Sequence, residues 1–134
     1  MTGIEGGCLC GAVRYRIESG TPLSSAVCHC HTCRRITGAP AVAWAEFPRA
    51  GFAFTAGQPR GFQSSAAVVR TFCDRCGSAL TYANAHTGDR IEVTTATLDH
   101  PETMVPDREV WLEHRLPWQP VNSALRAYSR GSDG

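Results

Sequence analysis

Hydrophobic and polar residues alternate along short stretches of this chain, with the period of a β-strand. The stretch from Ala12 to Ile17, AVRYRI, alternates in this way, which places its apolar side chains on one face of a strand. Turn-forming glycine, proline and aspartate residues recur about every ten residues, a spacing typical of a small all-β sandwich or barrel. Further predicted strands lie at residues 41–47, 52–55, 67–72, 79–82, 91–98 and 109–114.

Helical periodicity is not sustained anywhere in the chain. The best helical candidate is one or two turns from His31 to Ile36. The last residues, YSRGSDG from Tyr128 onward, have the composition of a frayed tail. We therefore expect a mainly β single domain over residues 1–134, with a core from about 4 to 125 and at most short helical turns.

Length and charge restrict the function classes. A chain of 134 residues is the size of one ordinary domain. Its formal net charge is +1 and its longest basic run is Arg34-Arg35, so nucleic acid is not expected as a partner. The sequence offers neither a secretory leader nor an apolar window of about eighteen residues, so no membrane contact is expected. These features predict a cytoplasmic protein.

Seven cysteines change this picture. Closely spaced cysteines in a reducing compartment are more often metal ligands than disulfides, and an odd number cannot pair completely. Metal binding is the favoured interpretation, with redox chemistry of the cysteines or an exported protein as the alternatives.

Two of the cysteine groups are pairs. Cys8 and Cys10 are two residues apart and would project from the same face of an extended segment. Cys73 and Cys76 form a CxxC turn followed by Gly77, in the manner of a zinc knuckle, where glycine supplies a positive φ. Together the pairs offer four thiolates, enough for a closed structural zinc site.

The third group is a compact triple of Cys28, Cys30 and Cys33 in VCHCHTCRR. Three thiolates can bind one zinc and leave the fourth position to water or substrate, which is the arrangement of a catalytic zinc site. Spacing favours this division, because splitting the triple would leave one thiolate beside a filled site. The CxxC pair could equally combine with two cysteines of the triple.

Charged and imidazole side chains surround the triple. Arg34 or Arg35 could offset the net negative charge of three thiolates around zinc, or bind a substrate carboxylate; the alternative is that both are solvated. His29 and His31 occupy odd positions and should point away from the metal if the segment is extended. His31 is also a candidate proton shuttle where the strand turns helical.

The remaining aromatic and imidazole residues are predicted to have structural or surface positions. The tryptophans are expected in the core or at its rim, with one of them a candidate to line the open site, and three histidines are expected at the surface. No catalytic role is assigned to Glu113 or His114. The three tryptophans are Trp44, Trp111 and Trp118, and the three histidines are His86, His100 and His114.

The order of four motifs resembles the glutathione-dependent formaldehyde-activating enzyme family, also called the centromere protein V type. The motifs are GGCLCGAVRY, CHCHTCRRITGAP, FCDRCGSAL and VWLEHRLPW, and they cover nearly the whole chain. The resemblance implies a single-domain, zinc-stapled β-tent fold shared with certain Rab-binding proteins. It also implies a structural zinc at the four paired cysteines and a second, weaker, catalytic zinc at the triple.

Two hypotheses of function follow. The resemblance implies a carbon-sulfur lyase that acts on glutathione or a related thiol, through an adduct like S-hydroxymethylglutathione, with zinc as the cofactor. The alternative is a non-enzymatic zinc-binding interaction module on the same fold. For the oligomeric state, a monomer or a homodimer is expected.

Overall fold

A computed structural model of the protein describes residues 3–131. It is mainly β, with one short helix in a single domain. The strands are β1 Ile4–Gly7, β2 Arg14–Ile17, β3 Ser24–Cys28, β4 Val42–Pro48, β5 Phe52–Ala56, β6 Arg60–Ser65, β7 Val68–Phe72, β8 Ala79–Asn84, β9 Arg90–Thr94, β10 Arg108–Val110 and β11 Arg126–Ala127; helix α1 is His31–Thr37.

The strands form two sheets. The smaller has the order β1-β2-β5 and is antiparallel. The larger has the order β11-β10-β3-β4-β9-β8-β7-β6, and it is antiparallel except that β10 runs parallel to both β3 and β11. No helix in the described part of the chain has the length and apolarity needed to cross a membrane.

Strand β4 shows why the large sheet has two different faces. Ala45 and Phe47 are fully buried in the main core, together with Tyr15 and Ile17 from the small sheet. Trp44 points to the opposite face, where it belongs to a second cluster that contains Cys28 and Cys33. The alternation of a strand thus gives one face to the core and the other to the three-cysteine cluster.

The predicted strands are confirmed in position but two end early. In the stretch 91–98 the strand stops at Thr94 and a 3-10 turn covers Thr95–Thr97. In the stretch 109–114 the strand stops at Val110, because Trp111 has a left-handed backbone with φ of 59°. A 3-10 turn, Leu112–His114, follows and redirects this segment.

The predicted helix is confirmed and is one residue longer than expected. Its N-cap is Cys30, whose Sγ accepts a hydrogen bond from the N–H of Cys33 at 3.3 Å. The helix ends at Thr37, and the following Gly38 has a left-handed conformation and donates its N–H to the carbonyl of Arg34. Two cysteines of the triple are therefore fixed by the start of the same helix.

The tail that the sequence predicts to be frayed is hydrogen-bonded in its first part. The carbonyl oxygens of Tyr128, Ser129 and Arg130 accept backbone N–H groups from residues 111–113 at 3.0–3.2 Å. This correction applies up to Arg130, and residues 132–134 lie outside the described residues. The contacts help to hold Trp111 in its unusual conformation.

Candidate metal centre

Four cysteines from distant parts of the chain form the first cluster. The Sγ atoms of Cys8, Cys10, Cys73 and Cys76 all lie within 4.8 Å of one another. The Cys8–Cys10 distance is 3.6 Å and the Cys10–Cys73 distance is 3.8 Å. A Zn–S bond of about 2.3 Å in a tetrahedral site implies S···S distances of about 3.8 Å. This set of donors fits a metal ion such as zinc.

Two tight turns bring these sulfurs together. Gly11 has a φ of 79° and donates its N–H to the carbonyl of Cys8. Gly77 has a φ of 83° and donates to the carbonyl of Cys73, as the sequence predicted for a knuckle. Cys8 and Cys10 are not on an extended strand, which corrects the geometric reason given for their pairing: β1 ends at Gly7 and a turn follows.

Hydrogen bonds to the sulfurs of Cys8 and Cys76 favour their thiolate forms. The N–H of Val13 donates to the Sγ of Cys8 at 3.2 Å. The hydroxyl of Ser78 lies 3.2 Å from the Sγ of Cys76, and this contact, with the neighbouring backbone, lowers the pKa of Cys76 to about 5. Thiolate is the form of cysteine that binds metal, so these contacts prepare the cluster for a cation.

The second cluster contains the compact triple. The Sγ atoms of Cys28, Cys30 and Cys33 also lie within 4.8 Å of one another. Cys28 is the last residue of β3, and the other two belong to the N-terminus of α1. Within the described residues, the structure groups the CxxC pair with Cys8 and Cys10 and not with the triple. The seven cysteines therefore divide into four and three.

Negative charge is unevenly distributed over the triple. Hydrogen bonds from the thiols of Cys28 and Cys33 lower the pKa of Cys30 well below its usual range. The hydrogen bond with Cys30 in turn raises the pKa of Cys28, since a second thiolate at this distance would repel the first. A bound cation would remove this repulsion and allow all three sulfurs to be thiolates.

A cavity of about 690 Å³ opens onto the triple. All three cysteines line it, and none of the other four cysteines does. Its floor is the outer face of the large sheet and its sides are α1 and the segment after β10. Other lining residues include Ser24, Ala26, His31, Trp44, Glu46, Ser64, Arg70, Tyr82, Arg90, Glu92, Arg108, Trp111 and His114.

His29 lies behind the triple and points away from it, in agreement with the alternation expected for this segment. Its ring is fully buried and its Nε2 lies 2.5 Å from Glu109 Oε1. The other carboxylate oxygen of Glu109 accepts the backbone N–H of Asn122 at 2.7 Å. The pair thus connects the segment between two cysteines to β10 and the C-terminal loop.

Arg34 and Arg35, the sequence candidates for substrate contacts, directly follow the triple on helix α1. Neither lines the cavity of the triple. Arg35 is exposed and lines a neighbouring cavity of about 700 Å³, whereas Arg34 is half-buried. The physical reason is the helix: its side chains radiate around the axis, so the residues directly after Cys33 turn away from the metal-binding side.

Three aromatic rings form the rim of the cavity. The rings of His31 and His114 stack with centroids 3.9 Å apart, and Trp111 stacks on His114 at 5.0 Å. His114 is only a quarter exposed, so its predicted surface position is wrong. The left-handed backbone at Trp111 and the turn after it bring His114 back to the cavity, which strand periodicity alone could not indicate.

The other aromatic and imidazole predictions have mixed outcomes. Trp44 is buried and lines the cavity, as expected for a core residue beside an open site. Trp118 is 69% exposed, so its predicted core or rim position is wrong. His86 and His100 are exposed, as predicted.

Arg70 lines the cavity beside the triple, and sequence analysis did not single it out. It is 6% exposed and its Nη1 lies 3.6 Å from the Sγ of Cys33. It lies on strand β7, where buried and exposed side chains alternate, three residues before Cys73 of the CxxC motif. An arginine within an otherwise apolar strand pattern is the sequence signal that could have identified it.

Comparisons with known proteins agree with this architecture. A sequence model of the glutathione-dependent formaldehyde-activating enzyme family matches residues 3–114. A protein of Halomonas elongata, provisionally named as such an enzyme, is 27% identical, and the match covers 90% of this chain and 82% of the relative. A crystal structure of a Rhodobacter sphaeroides protein matches with a TM-score of 0.63 at 19% identity, covering 93% of this chain and 99% of that one.

The solved structure shows that the fold has been observed by experiment in another protein. The family match spans most of the chain and includes all seven cysteines, both the cluster of four and the cluster of three. This chain therefore belongs to the glutathione-dependent formaldehyde-activating enzyme family.

Proposed function

We propose that the protein is a zinc-dependent enzyme of the carbon-sulfur lyase type, acting on glutathione or a related thiol-aldehyde adduct. One observation carries the proposal: the three-cysteine cluster lines a cavity of about 690 Å³, whereas the four-cysteine cluster does not. A metal held by three protein ligands beside a cavity has room for a further ligand, as catalytic zinc sites do.

The two clusters have different proposed roles. Zinc at Cys8, Cys10, Cys73 and Cys76 would be structural, connecting the turn after β1 to the turn after β7. Zinc at Cys28, Cys30 and Cys33 would be catalytic. When bound there, it supplies Lewis acidity and stabilises a thiolate at neutral pH.

The reaction makes or breaks one carbon-sulfur bond. In the direction of synthesis, the thiol sulfur attacks the carbonyl carbon of the aldehyde, the C=O double bond becomes a single bond, and the oxygen gains a proton. The thiol has lost one proton, so the adduct RS–CH2–OH balances the two reactants without an oxidant or reductant. The reverse direction cleaves the same bond.

The chain's own contribution is to position the reactants. The cavity has the size of a site for a small organic molecule, which suits a thiol as large as glutathione. Trp44 and Tyr82 provide apolar walls, and the stacked rings of His31 and His114 limit access at the rim. Holding thiol and aldehyde together lowers the entropic part of the barrier.

The proposal also covers the cellular compartment, the partner and the oligomeric state of the protein. All seven cysteines are free and unpaired by disulfides, and such a set persists in a reducing compartment, which favours the cytoplasm. We propose a small thiol such as glutathione as the partner, and a monomer or a homodimer as the oligomeric state.

An exchange experiment tests the proposal. Formaldehyde labelled with ¹³C is mixed with glutathione, and NMR exchange spectroscopy measures the rate of adduct formation and breakdown with and without zinc-loaded protein. We expect the wild type to accelerate the exchange and Cys30→Ser to have no effect on it. Circular dichroism should show that Cys30→Ser is still folded. A rate equal to the uncatalysed background across several thiols and aldehydes would contradict the enzyme and favour the interaction module.

A further inference from the structure

Arg70 is a buried cation whose surroundings are unusual. On β7, its guanidinium carbon lies beside the aromatic rings of Tyr82 and Trp44, at 4.9 Å and 5.9 Å from their centroids. Its Nε donates a hydrogen bond to the hydroxyl of Ser64 at 3.0 Å, and its Nη1 lies 3.6 Å from the Sγ of Cys33. These contacts fix the guanidinium between the sheet and the three-cysteine cluster.

No carboxylate pairs with this guanidinium within residues 3–131. A buried charge without a counter-charge is costly, so native proteins pair such groups. The sulfur of Cys33, which can become negative, lies 3.6 Å from Arg70 Nη1. Arg70 is therefore placed to balance the charge of the cysteine cluster, a role for which the sequence had suggested Arg34 and Arg35.

Other arginines at the same cavity have acidic neighbours. Arg90 Nη1 lies 3.5 Å from Glu46 Oε1, and Arg108 Nε lies 2.7 Å from Asp107 Oδ1. Their charges are thus offset locally. Arg70 differs because its positive charge is directed at the metal-binding sulfurs and into the cavity that they line.

The position of Arg70 matters for ligand binding because of the net charge that the three-cysteine cluster has with zinc bound. Three thiolates and one Zn²⁺ carry a net charge of −1, so a further anionic ligand would be repelled. We propose that Arg70 is a specificity-determining residue that makes the open position of the three-cysteine centre favour anionic ligands, the thiolate of the substrate among them. This inference rests on the proposed function and names what selects its ligand.

Ligand binding to the cobalt-substituted protein tests the inference, because Co²⁺ bound by thiolates has absorption bands that respond to a new ligand. Azide serves as a small anion, imidazole as a neutral ligand and glutathione as the thiol. The variants are Arg70→Gln, which removes the charge, Arg70→Lys, which keeps it, and Arg49→Gln as a control with the same change in net charge at an exposed arginine that lines neither cavity.

We expect Arg70→Gln to weaken azide binding about tenfold, the size of effect typical for removal of a group that supports a metal site. Imidazole affinity should change less than twofold. Arg70→Lys should recover most of the azide affinity, and Arg49→Gln should leave it within about twofold of wild type. Unchanged azide affinity in Arg70→Gln, or an equal loss for azide and imidazole, would overturn the inference.

Two further outcomes separate this inference from the proposed function. If wild type binds azide but not glutathione, thiol chemistry is wrong while the effect of Arg70 on azide still decides the inference. If wild type binds neither azide nor imidazole, the position is not open and both are overturned. Should Arg70→Gln not fold, Ser64→Ala releases the Nε contact and should weaken azide binding selectively; equal losses for both ligands would again overturn the inference.

Discussion

The buried pair of His29 and Glu109 allows a sharp test of what holds the three-cysteine cluster in place. We consider Glu109→Leu, which keeps a similar side-chain volume but removes both carboxylate oxygens. Those oxygens accept from His29 Nε2 at 2.5 Å and from the N–H of Asn122 at 2.7 Å. The replacement therefore leaves two donors without partners in the native state.

The burial of each donor sets the magnitude. The His29 side chain is fully buried, and an unpaired buried donor costs about 1–3 kcal/mol, with the upper part of that range suited to a ring that water cannot reach. The Asn122 bond is only partly buried, so water can replace much of it. We expect a total loss of about 3 kcal/mol in the free energy of unfolding, a large fraction of the stability of an ordinary domain.

Urea unfolding at a fixed free zinc concentration measures this loss, because metal binding otherwise adds to apparent stability. The double replacement His29→Leu with Glu109→Leu should recover most of the loss, since no buried donor from the ring remains. Glu102→Ala, which removes an exposed carboxylate, serves as a control and should leave the midpoint unchanged. A loss below about 1 kcal/mol, or no recovery in the double variant, would refute the reasoning.

Three further predictions follow from the same structure. Cys73→Ser should lower the unfolding midpoint far more than Cys30→Ser, since only the former belongs to the four-cysteine cluster; equal losses by thermal unfolding would contradict the division. Gly77→Ala, at a φ of 83° with no atom within 4 Å of the new Cβ, should cost about 1 kcal/mol of unfolding free energy through backbone strain alone, and Gly88→Ala, at a φ of −65°, should cost nothing measurable. Arg14 on β2 lowers the pKa of Asp99 through a bidentate hydrogen bond, so this pair stabilises the fold above about pH 4 and the effect disappears as the pH falls through the lowered pKa. Asp99→Asn should therefore cost less than about 1 kcal/mol at pH 7, and urea unfolding should show this cost shrinking as the pH falls below about 4.

The sequence predicts the local structure well where a single rule governs it. Alternation identifies β4 and β7, and the glycine after the CxxC motif identifies the tight turn at Gly77. Strand β3 escapes prediction, because SSAVC is too polar at its start to show a clear alternation. Strand β6 escapes for a similar reason, since most of its side chains are exposed at the sheet edge.

The candidate site is predictable only in part. Its cysteines are evident because three of them lie within six residues. The partner of His29 is eighty residues away at Glu109, and pairing over that separation depends on the parallel contact of β10 with β3. Arg70 lies near the triple because of the order β4-β9-β8-β7 in the large sheet. Local periodicity does not indicate the order of the strands.

The division of the cysteines into four and three is the central claim, and zinc stoichiometry tests it most directly. Native mass spectrometry of the wild type and of Cys28→Ser would count the zinc ions bound to each folded chain. The account predicts two zinc ions in the wild type and one in Cys28→Ser, with the remaining ion at the four-cysteine cluster. A single zinc in the wild type, or the loss of both in the variant, would contradict it.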